Sequence, residues 1–377
     1  AVNNTETAVG SATLFRSLMQ PPTSLELVLA KQEALKELES DDKLRNAVEE
    51  YVGEFKDREP ALFRFLNDKL DPRGNIYGDF KKAMAAGLNI TKTVEGIPQP
   101  QSSYLSGLIG TIKDFEGTQI HQLMKGPIYG GFMKGVRTKD NVGFFTPAWK
   151  FRPSRVSSIG LSASIPFTVL IGSSLLGAPL DVSHFNPHVV GMIGAAPLFT
   201  IMHGVFMKPM SDLIKVINPL RDLTVSDNAF NYAVDSVGSL DEILSFVKWG
   251  KDIQHENTIP VVTDEHVHYF EAQDLRNPVQ ARDNPDYVPN DVNLNGSRLT
   301  LITGPNSGGK TTYCKSVAQN QILGQVGSRV LASSAKLNIT DRIAYQAPMF
   351  DALQDDEGRF GTELKRTRDI FYATSPK

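Results

Sequence analysis

Residues 304–311 read Gly-Pro-Asn-Ser-Gly-Gly-Lys-Thr, a complete GxxxxGK[ST] phosphate-binding loop. An apolar stretch, residues 298–303 (Arg-Leu-Thr-Leu-Ile-Thr), comes directly before the loop, and a helical pattern follows from Lys310 to Leu323. We expect residues 298–303 to form a β-strand, because strand, Gly-rich turn and helix is the context in which this motif binds phosphate. The loop therefore predicts a P-loop α/β nucleotide-binding domain. A Gly-rich turn with a purely structural role is the alternative.

The residue types of the loop explain its predicted chemistry. Glycines allow successive backbone N–H groups to turn toward phosphate oxygens, and the N-terminus of the following helix adds a favourable dipole. Lys310 reaches the terminal phosphates, and the Thr311 hydroxyl is a ligand for Mg²⁺. We therefore predict ATP and Mg²⁺ as cofactors. The loop residues predicted to bind them are Gly304, Pro305, Asn306, Ser307, Gly308, Gly309, Lys310, Thr311 and Thr312.

Composition limits the remaining possibilities. The 377 residues are enough for two or three domains, and 41% hydrophobic with 21% charged residues is typical of a folded protein. A net charge of −3 gives no overall attraction to nucleic acid, so any DNA contact needs a local basic surface. The single cysteine, Cys314, cannot form an internal disulfide, which favours a reducing compartment. We expect Cys314 to be a packing residue rather than a nucleophile.

Two long uncharged stretches interrupt the chain. Residues 156–180 contain no charged residue, and residues 185–207 carry only His188 and His203. Each is long enough to cross a bilayer as a helix, and the short link between them predicts a transmembrane helical hairpin. Basic residues flank both outer ends, which places both ends and the ATP-binding part in the cytoplasm, anchored in the cytoplasmic (inner) membrane. The alternative is a buried apolar hairpin in a soluble domain.

Helices are predicted for most of residues 1–150. Thr23 and Glu26 form a capping box for a helix whose apolar face carries Leu25, Val28, Leu29, Leu35 and Leu38. The other face, with Lys31, Glu33, Lys36 and Glu37, is interpreted as solvated. A second helix is predicted to begin at Asp41-Asp42.

Two further segments are less regular. Residues 125–145 are rich in Gly, Lys and aromatic residues, and a glycine-rich connector is favoured over a contact with phosphate or lipid headgroups. The segment Asp264-Glu265-His266-Val267-His268 fits one face of a β-strand better than a zinc site, because no cysteine or third histidine lies close by in sequence.

The loop and its surroundings resemble the MutS family. The loop is similar to that family's TGPNxGGKST, residues 275–279 (Leu-Arg-Asn-Pro-Val) to its RHPV element, and residues 287–291 (Tyr-Val-Pro-Asn-Asp) to its FVPND element. Glu357-Gly358-Arg359 keeps the Gly-Arg of the family's ATPase signature and lacks its serines. The resemblance is good over residues 230–377, moderate over residues 14–50 and slight over residues 60–220.

This resemblance implies a domain order and a function. Residues 1–150 are expected to be a helical core and lever region, 151–210 the apolar hairpin, 211–255 a helical connector, and 256–377 the N-terminal part of the ATPase domain. The family uses ATP for a conformational switch on DNA in mismatch repair. An ABC-like membrane ATPase that does not act on DNA is the alternative, although that class needs an LSGGQ-type signature.

The resemblance also implies roles for particular residues. Tyr287 takes the position that stacks on adenine, and Asn306 the position linked to the γ-phosphate and the attacking water, so Lys310 and Asn306 are the predicted catalytic residues. Family members form homodimers or heterodimers through the ATPase domain, with Gly358 and Arg359 near the partner's nucleotide. The Asp-Glu strand that completes the Mg²⁺ site in the family is expected beyond Lys377, so we expect this chain to bind ATP without family-like turnover.

Overall fold

A computed structural model describes residues 2–131, 135–155, 202–265, 268–296, 299–305, 308–346 and 359–373. The chain forms two compact units. The first contains residues 1–52, 97–109 and 235–377, and the second contains residues 53–96 and 110–234. The predicted phosphate-binding loop, residues 304–311, belongs to the first unit.

Helices are the main secondary-structure elements of the described residues. They are α1 (Ala8–Met19), α2 (Leu25–Ser40), α3 (Asp42–Leu66), α4 (Ile76–Val94), α5 (Ser103–Asp114), α6 (Gln119–Lys125), α7 (Lys208–Asp212), α8 (Asn218–Ser226), α9 (Asn228–Asp252), α10 (Lys310–Gln325) and α11 (Arg359–Ala373). Two π-helical turns, His203–Met207 and Leu213–Ile217, flank α7. Helices α1 to α6 lie within residues 1–150, and α8 and α9 lie within residues 211–255, while the assignment of these ranges to a lever region and a connector stays a prediction.

A mixed four-stranded sheet organises the first unit. Its strands are β4 (Val261–Thr263), β5 (Phe270–Leu275), β6 (Asn290–Asn293) and β7 (Ser334–Asn338), in the order β4-β7-β5-β6. β4 pairs parallel with β7, and the other pairs are antiparallel. Along β5, Phe270, Ala272 and Leu275 are buried in one apolar core with Leu337 of β7 and Leu323 of α10, so this core joins the sheet to the helix after the loop.

The second unit has an aromatic core and a small antiparallel sheet. Phe65, Phe80 and Phe151 pack edge to face, with ring centroids 6.0 Å apart for Phe65–Phe80 and 5.6 Å for Phe80–Phe151. The sheet has the order β2-β1-β3, with β1 at Tyr129–Gly131, β2 at Val136–Arg137 and β3 at Ala148–Lys150. The interpretation of residues 125–145 as a connector missed this sheet, because its strands are only two or three residues long.

Details of α2 correct three expectations. The helix is capped by Ser24 rather than Thr23: the Ser24 hydroxyl accepts a hydrogen bond from the Leu27 N–H. Leu29 is exposed, although it was assigned to the apolar face. Lys31, assigned to the solvated face, is 4% exposed and pairs with Glu242 of α9 at 2.7 Å. The partner lies 211 residues away in sequence, so helical periodicity alone could not have identified this burial.

The predicted membrane hairpin lies almost entirely outside the described residues, which include only its last part, residues 202–207. Within the described ranges, every helix is too short or too polar to cross a membrane.

Candidate nucleotide-binding loop

The turn between the loop and α10 depends on glycine. Gly309 has φ +79° and caps α10, and Gly304, at the start of the loop, has φ +153°. Both values lie in the region that side-chain-bearing residues rarely adopt. Helix α10 then runs over 16 residues from Lys310, which confirms the predicted helix. Asn306 and Ser307 lie outside the described residues, so their assigned roles stay predictions.

The predicted strand before the loop is wrong for residues 299–303, which have no strand conformation. Leu299 and Leu301 are 87% and 84% exposed. A strand forms only when a neighbouring strand satisfies its N–H and C=O groups. Among the described residues the sheet of this unit consists of β4, β7, β5 and β6, and none of these strands pairs with residues 299–303.

The Lys310 ammonium lies against the loop that it follows. Its Nζ donates to the carbonyl oxygen of Gly304 at 2.9 Å and to that of Pro305 at 2.6 Å. The Pro305 carbonyl also accepts from the Gly308 N–H at 3.2 Å. Both of these acceptors are neutral carbonyl oxygens, so the ammonium lies beside the loop in a position from which it can transfer to an anionic oxygen.

The first turn of α10 is suited to an anion. The first N–H groups of a helix have no partner within the helix, and the positive end of the helix dipole lies there. The first turn carries no acidic residue, and the loop around it is exposed. Thr311 is exposed as well, so its hydroxyl is accessible to a metal ion bound beside a phosphate. The described residues thus fit the phosphate part of ATP. Among the described residues of this loop, Thr311 is the one predicted to bind Mg²⁺.

Tyr287, the predicted adenine-stacking residue, is half-buried. Its N–H donates to the Asn284 carbonyl at 3.2 Å, and its ring packs against the same core as Tyr313 of α10. His255 supports this segment, since its Nε2 lies 2.9 Å from the carbonyl oxygens of both Ala281 and Asn284. One side of Tyr287 thus packs against the core, and the residue is partly open to solvent. This is compatible with either stacking on a base or a packing role.

Buried amide side chains hold α10 in the unit. Asn320 donates to the Arg276 carbonyl at 2.9 Å and accepts from the Leu331 N–H at 2.8 Å. Gln321 donates to the Asn338 carbonyl at 2.8 Å, and Gln325 to the Thr340 carbonyl at 2.6 Å. These positioning residues were missed by the sequence interpretation. The signal was present, because Ser316, Asn320, Gln321 and Gln325 recur at helical spacing where an amphipathic helix would carry apolar residues.

Two minor expectations have different outcomes. Cys314 is exposed rather than a packing residue, so that prediction is wrong. In the segment 264–268, His266 and Val267 are outside the described residues, and the strand begins only at Phe270. Burial lowers the pKa of His268. The part of the chain that the structure describes contains no group of three or more His, Cys, Asp or Glu side chains placed to hold a metal ion.

Comparison with known proteins gives a consistent result. The family model of MutS domain V matches residues 300–377. DNA mismatch repair protein MSH3 of Vanderwaltozyma polyspora is 36% identical over 144 residues, which are 38% of this chain and 14% of that protein. The protein of the same name from Aspergillus oryzae is 33% identical over 165 residues, 42% of this chain and 14% of its own length.

A third relative, DNA mismatch repair protein msh3 of Emericella nidulans, is 44% identical over 93 residues, 24% of this chain and 8% of that protein. The chain therefore aligns with only a small part of each of these relatives.

Proposed function

The chain belongs to the MutS family, and from this premise we propose that it binds ATP with Mg²⁺ and serves as a nucleotide-dependent switch in DNA mismatch repair. The observation that carries the proposal is the start of α10: a glycine in the left-handed region, an exposed helix N-terminus and a lysine ammonium held over the loop. MutS domain V begins in the residues just before this loop.

The chain's own residues suggest how binding proceeds. Lys310 exchanges its two carbonyl acceptors for phosphate oxygens, because an ammonium interacts more strongly with an anionic oxygen than with a neutral carbonyl oxygen. The N–H groups of the first turn of α10 would bind the phosphates, and the Thr311 hydroxyl would be a ligand of Mg²⁺. Asn306 keeps its proposed role at the γ-phosphate. Bound Mg²⁺ would supply neutralisation of the phosphate charge.

Calorimetric titration of ATP into the wild-type chain and into Lys310→Ala tests this site. We expect Lys310→Ala to lose a charge-assisted contact and about tenfold or more in affinity. Lys315→Ala is the matched control, because Lys315 is an exposed lysine of the same helix and should bind ATP like the wild type. Equal ATP affinity of Lys310→Ala and the wild type would contradict the assignment.

The proposed DNA partner is tested separately. Fluorescence anisotropy with a labelled duplex, matched and mismatched, should change when ATP replaces ADP, because a switch must bind DNA differently in its two nucleotide states. The same DNA affinity with ATP, with ADP and without nucleotide would remove the switch from the proposal and leave ATP binding untouched.

A dimer through the ATPase domain is also part of the proposal. Helix α11, which begins at Arg359, exposes Leu364, Phe371 and Tyr372 to 60%, 71% and 84%. Such a row of apolar side chains is suited to a partner surface. Sedimentation velocity with and without ATP measures the association, and a monomer under both conditions at high protein concentration would contradict it.

The membrane hairpin stays a prediction, supported by the two uncharged stretches at residues 156–180 and 185–207. The family match favours a MutS-type protein over the ABC-like alternative. A membrane anchor would therefore add a location to the proposed function without replacing it.

A further inference from the structure

The turn Gly143–Thr146, here called the aromatic turn, exposes two neighbouring phenylalanines. Phe144 and Phe145 are 93% and 94% exposed, and their rings pack edge to face with centroids 5.4 Å apart. The turn is closed by the Thr146 N–H, which donates to the Gly143 carbonyl, and by the Gly143 N–H, which donates to the Thr146 hydroxyl, both at 3.1 Å. A short hydrogen-bonded turn thus holds two large apolar rings in water.

Two aromatic residues that follow the turn, Trp149 and Phe151, pack against other residues of the second unit, although Trp149 remains 39% exposed. Beyond β3, Phe151 is buried against Tyr77 and Phe80. The Trp149 ring covers Gly130 so closely that a Cβ at this glycine would lie 2.7 Å from it. The β-sheet is therefore well anchored in the second unit. The exposure of Phe144 and Phe145 is a local property of the turn.

The segment of sequence that contains the aromatic turn is rich in positive charge. Residues 125–155 contain seven Lys or Arg and one Asp, a net charge of +6 in a chain whose total is −3. Lys139 and Lys150, on either side of the turn, are exposed. The Arg137 guanidinium donates to the Thr146 carbonyl at 3.4 Å, and the Lys215 ammonium lies 5.6 Å from the centroid of the Trp149 ring.

We propose that the aromatic turn inserts into the surface of an anionic lipid bilayer. Exposed aromatic rings beside Lys and Arg are the composition that binds at the interface of a membrane. Phe144 and Phe145 would leave water for the acyl region, and Arg137, Lys139 and Lys150 would contact anionic headgroups. Each basic residue near such a surface raises the affinity about fivefold.

A bilayer fits the turn better than nucleic acid does. Aromatic residues that stack on single-stranded DNA line a positively charged groove, whereas Phe144 and Phe145 stand at the end of a tight turn. The chain also continues from this basic segment into residues 156–180, which contain no charged residue. The proposal depends neither on ATP binding nor on mismatch repair.

A fluorescent label at the turn tests the proposal. Phe144→Cys is combined with Cys314→Ser, because Cys314 is the only cysteine of the chain and is exposed. The full chain is labelled with an environment-sensitive dye and added to vesicles of phosphatidylcholine and phosphatidylserine. If the protein needs detergent to stay in solution, it is diluted into the vesicles from detergent. We expect a blue shift of the emission and quenching by nitroxide-labelled lipid. The readout is local, so an anchor elsewhere in the chain does not produce it.

Tyr232→Cys in the same Cys314→Ser background is the matched control, because Tyr232 is an exposed aromatic residue of α9 in the same unit. Its label should stay in water. Circular dichroism confirms that both variants fold. Quenching at position 144 should also be greater with phosphatidylserine than with phosphatidylcholine alone, and should fall in Lys139→Gln/Lys150→Gln.

Three results would overturn the proposal. The label at position 144 could remain in water in the presence of vesicles. The labels at positions 144 and 232 could be quenched equally by lipid, which would mean that the turn is not specifically inserted. Finally, the label at position 144 could shift with single-stranded or duplex DNA and not with vesicles, which would assign the aromatic turn to nucleic acid.

Discussion

At the scale of single residues, the structure shows which groups contact Lys310 and Tyr287, two described residues of the candidate nucleotide site. Lys310 is held by two carbonyls of its own loop. Tyr287 packs on the core that also receives Tyr313 of α10. Both residues were identified from the sequence, Lys310 by the chemistry of the motif and Tyr287 by its family resemblance. Their surroundings are compatible with the assigned roles, and binding measurements decide whether they act in them.

Replacing Tyr287 by Ala should weaken ATP and ADP binding to a similar extent. Both nucleotides share the adenine base, and stacking of a base on an aromatic ring is worth about 1–3 kcal/mol. Calorimetric titration of each nucleotide measures the effect, with Tyr287→Phe as the control that keeps the ring. A loss of ATP affinity with unchanged ADP affinity would argue against stacking.

At the scale of elements, α10 is positioned by hydrogen bonds from buried amides as well as by apolar packing. Asn320, Gln321 and Gln325 bond backbone groups of segments between Arg276 and Thr340. Gly324 allows close approach, because a Cβ there would lie 2.4 Å from the Leu337 side chain. The helix that presents the loop is therefore fixed in orientation by polar contacts as much as by apolar area.

Asn320→Ala should destabilise the first unit, while the residues of the loop at 304–311 stay the same. The substitution leaves the Arg276 carbonyl and the Leu331 N–H without their partner, and each unsatisfied buried group costs about 1–3 kcal/mol. Urea unfolding followed by circular dichroism measures the change. Lys315→Ala on the exposed face should shift the free energy of unfolding by no more than about 0.5 kcal/mol. A similar shift for both variants would mean that the amide contacts do not hold α10.

His121 makes the stability of the second unit sensitive to pH. The Gly117 N–H donates to its Nδ1 at 3.3 Å, so this nitrogen carries no proton, and Nε2 is 3.3 Å from the Thr91 hydroxyl. Burial lowers the pKa of His121 from its ordinary value of 6.5. Since the unfolded chain binds the proton more tightly, this contribution is fully present above pH 6.5 and is lost as pH falls through the lowered pKa.

The corresponding measurement is urea unfolding at pH 7.5 and at lower pH. The free energy of unfolding should decrease on acidification, and His121→Gln should flatten this dependence. His255→Gln, which removes a histidine from the first unit, is the control and should keep the dependence in the second unit. An unchanged pH profile in His121→Gln would show that other groups cause it.

At the scale of the whole molecule, two features of the chain point to different surroundings. The first unit contains the MutS domain V match and the candidate phosphate-binding loop. The second unit contains the basic, aromatic sheet, and the two uncharged stretches, residues 156–180 and 185–207, lie within residues 110–234 of that unit. A nucleotide-dependent protein tethered at a membrane would join these two features in one chain.

The membrane hairpin predicts that the expressed protein sediments with membranes and resists carbonate extraction. Two apolar stretches of more than 20 residues are long enough to hold it there. Deleting residues 156–207 should release the protein, whereas Lys310→Ala should leave it in the membrane fraction. A wild-type chain found entirely in the supernatant without detergent would favour the buried hairpin.

The sequence alone determined the features that are local. The loop Gly304–Thr311, the start of α10 and the family resemblance could be recognised because glycine conformation, helix capping and motif spacing depend on neighbouring residues. Tertiary structure decided what depends on distant partners. Residues 299–303 are apolar and yet form no strand, Lys31 is buried by Glu242, and α10 is held by amides that bond other segments. A strand, a buried charge and a buried amide are each stable only when another segment supplies a hydrogen-bond or ion-pair partner. The periodicity of the sequence does not show which segment supplies it.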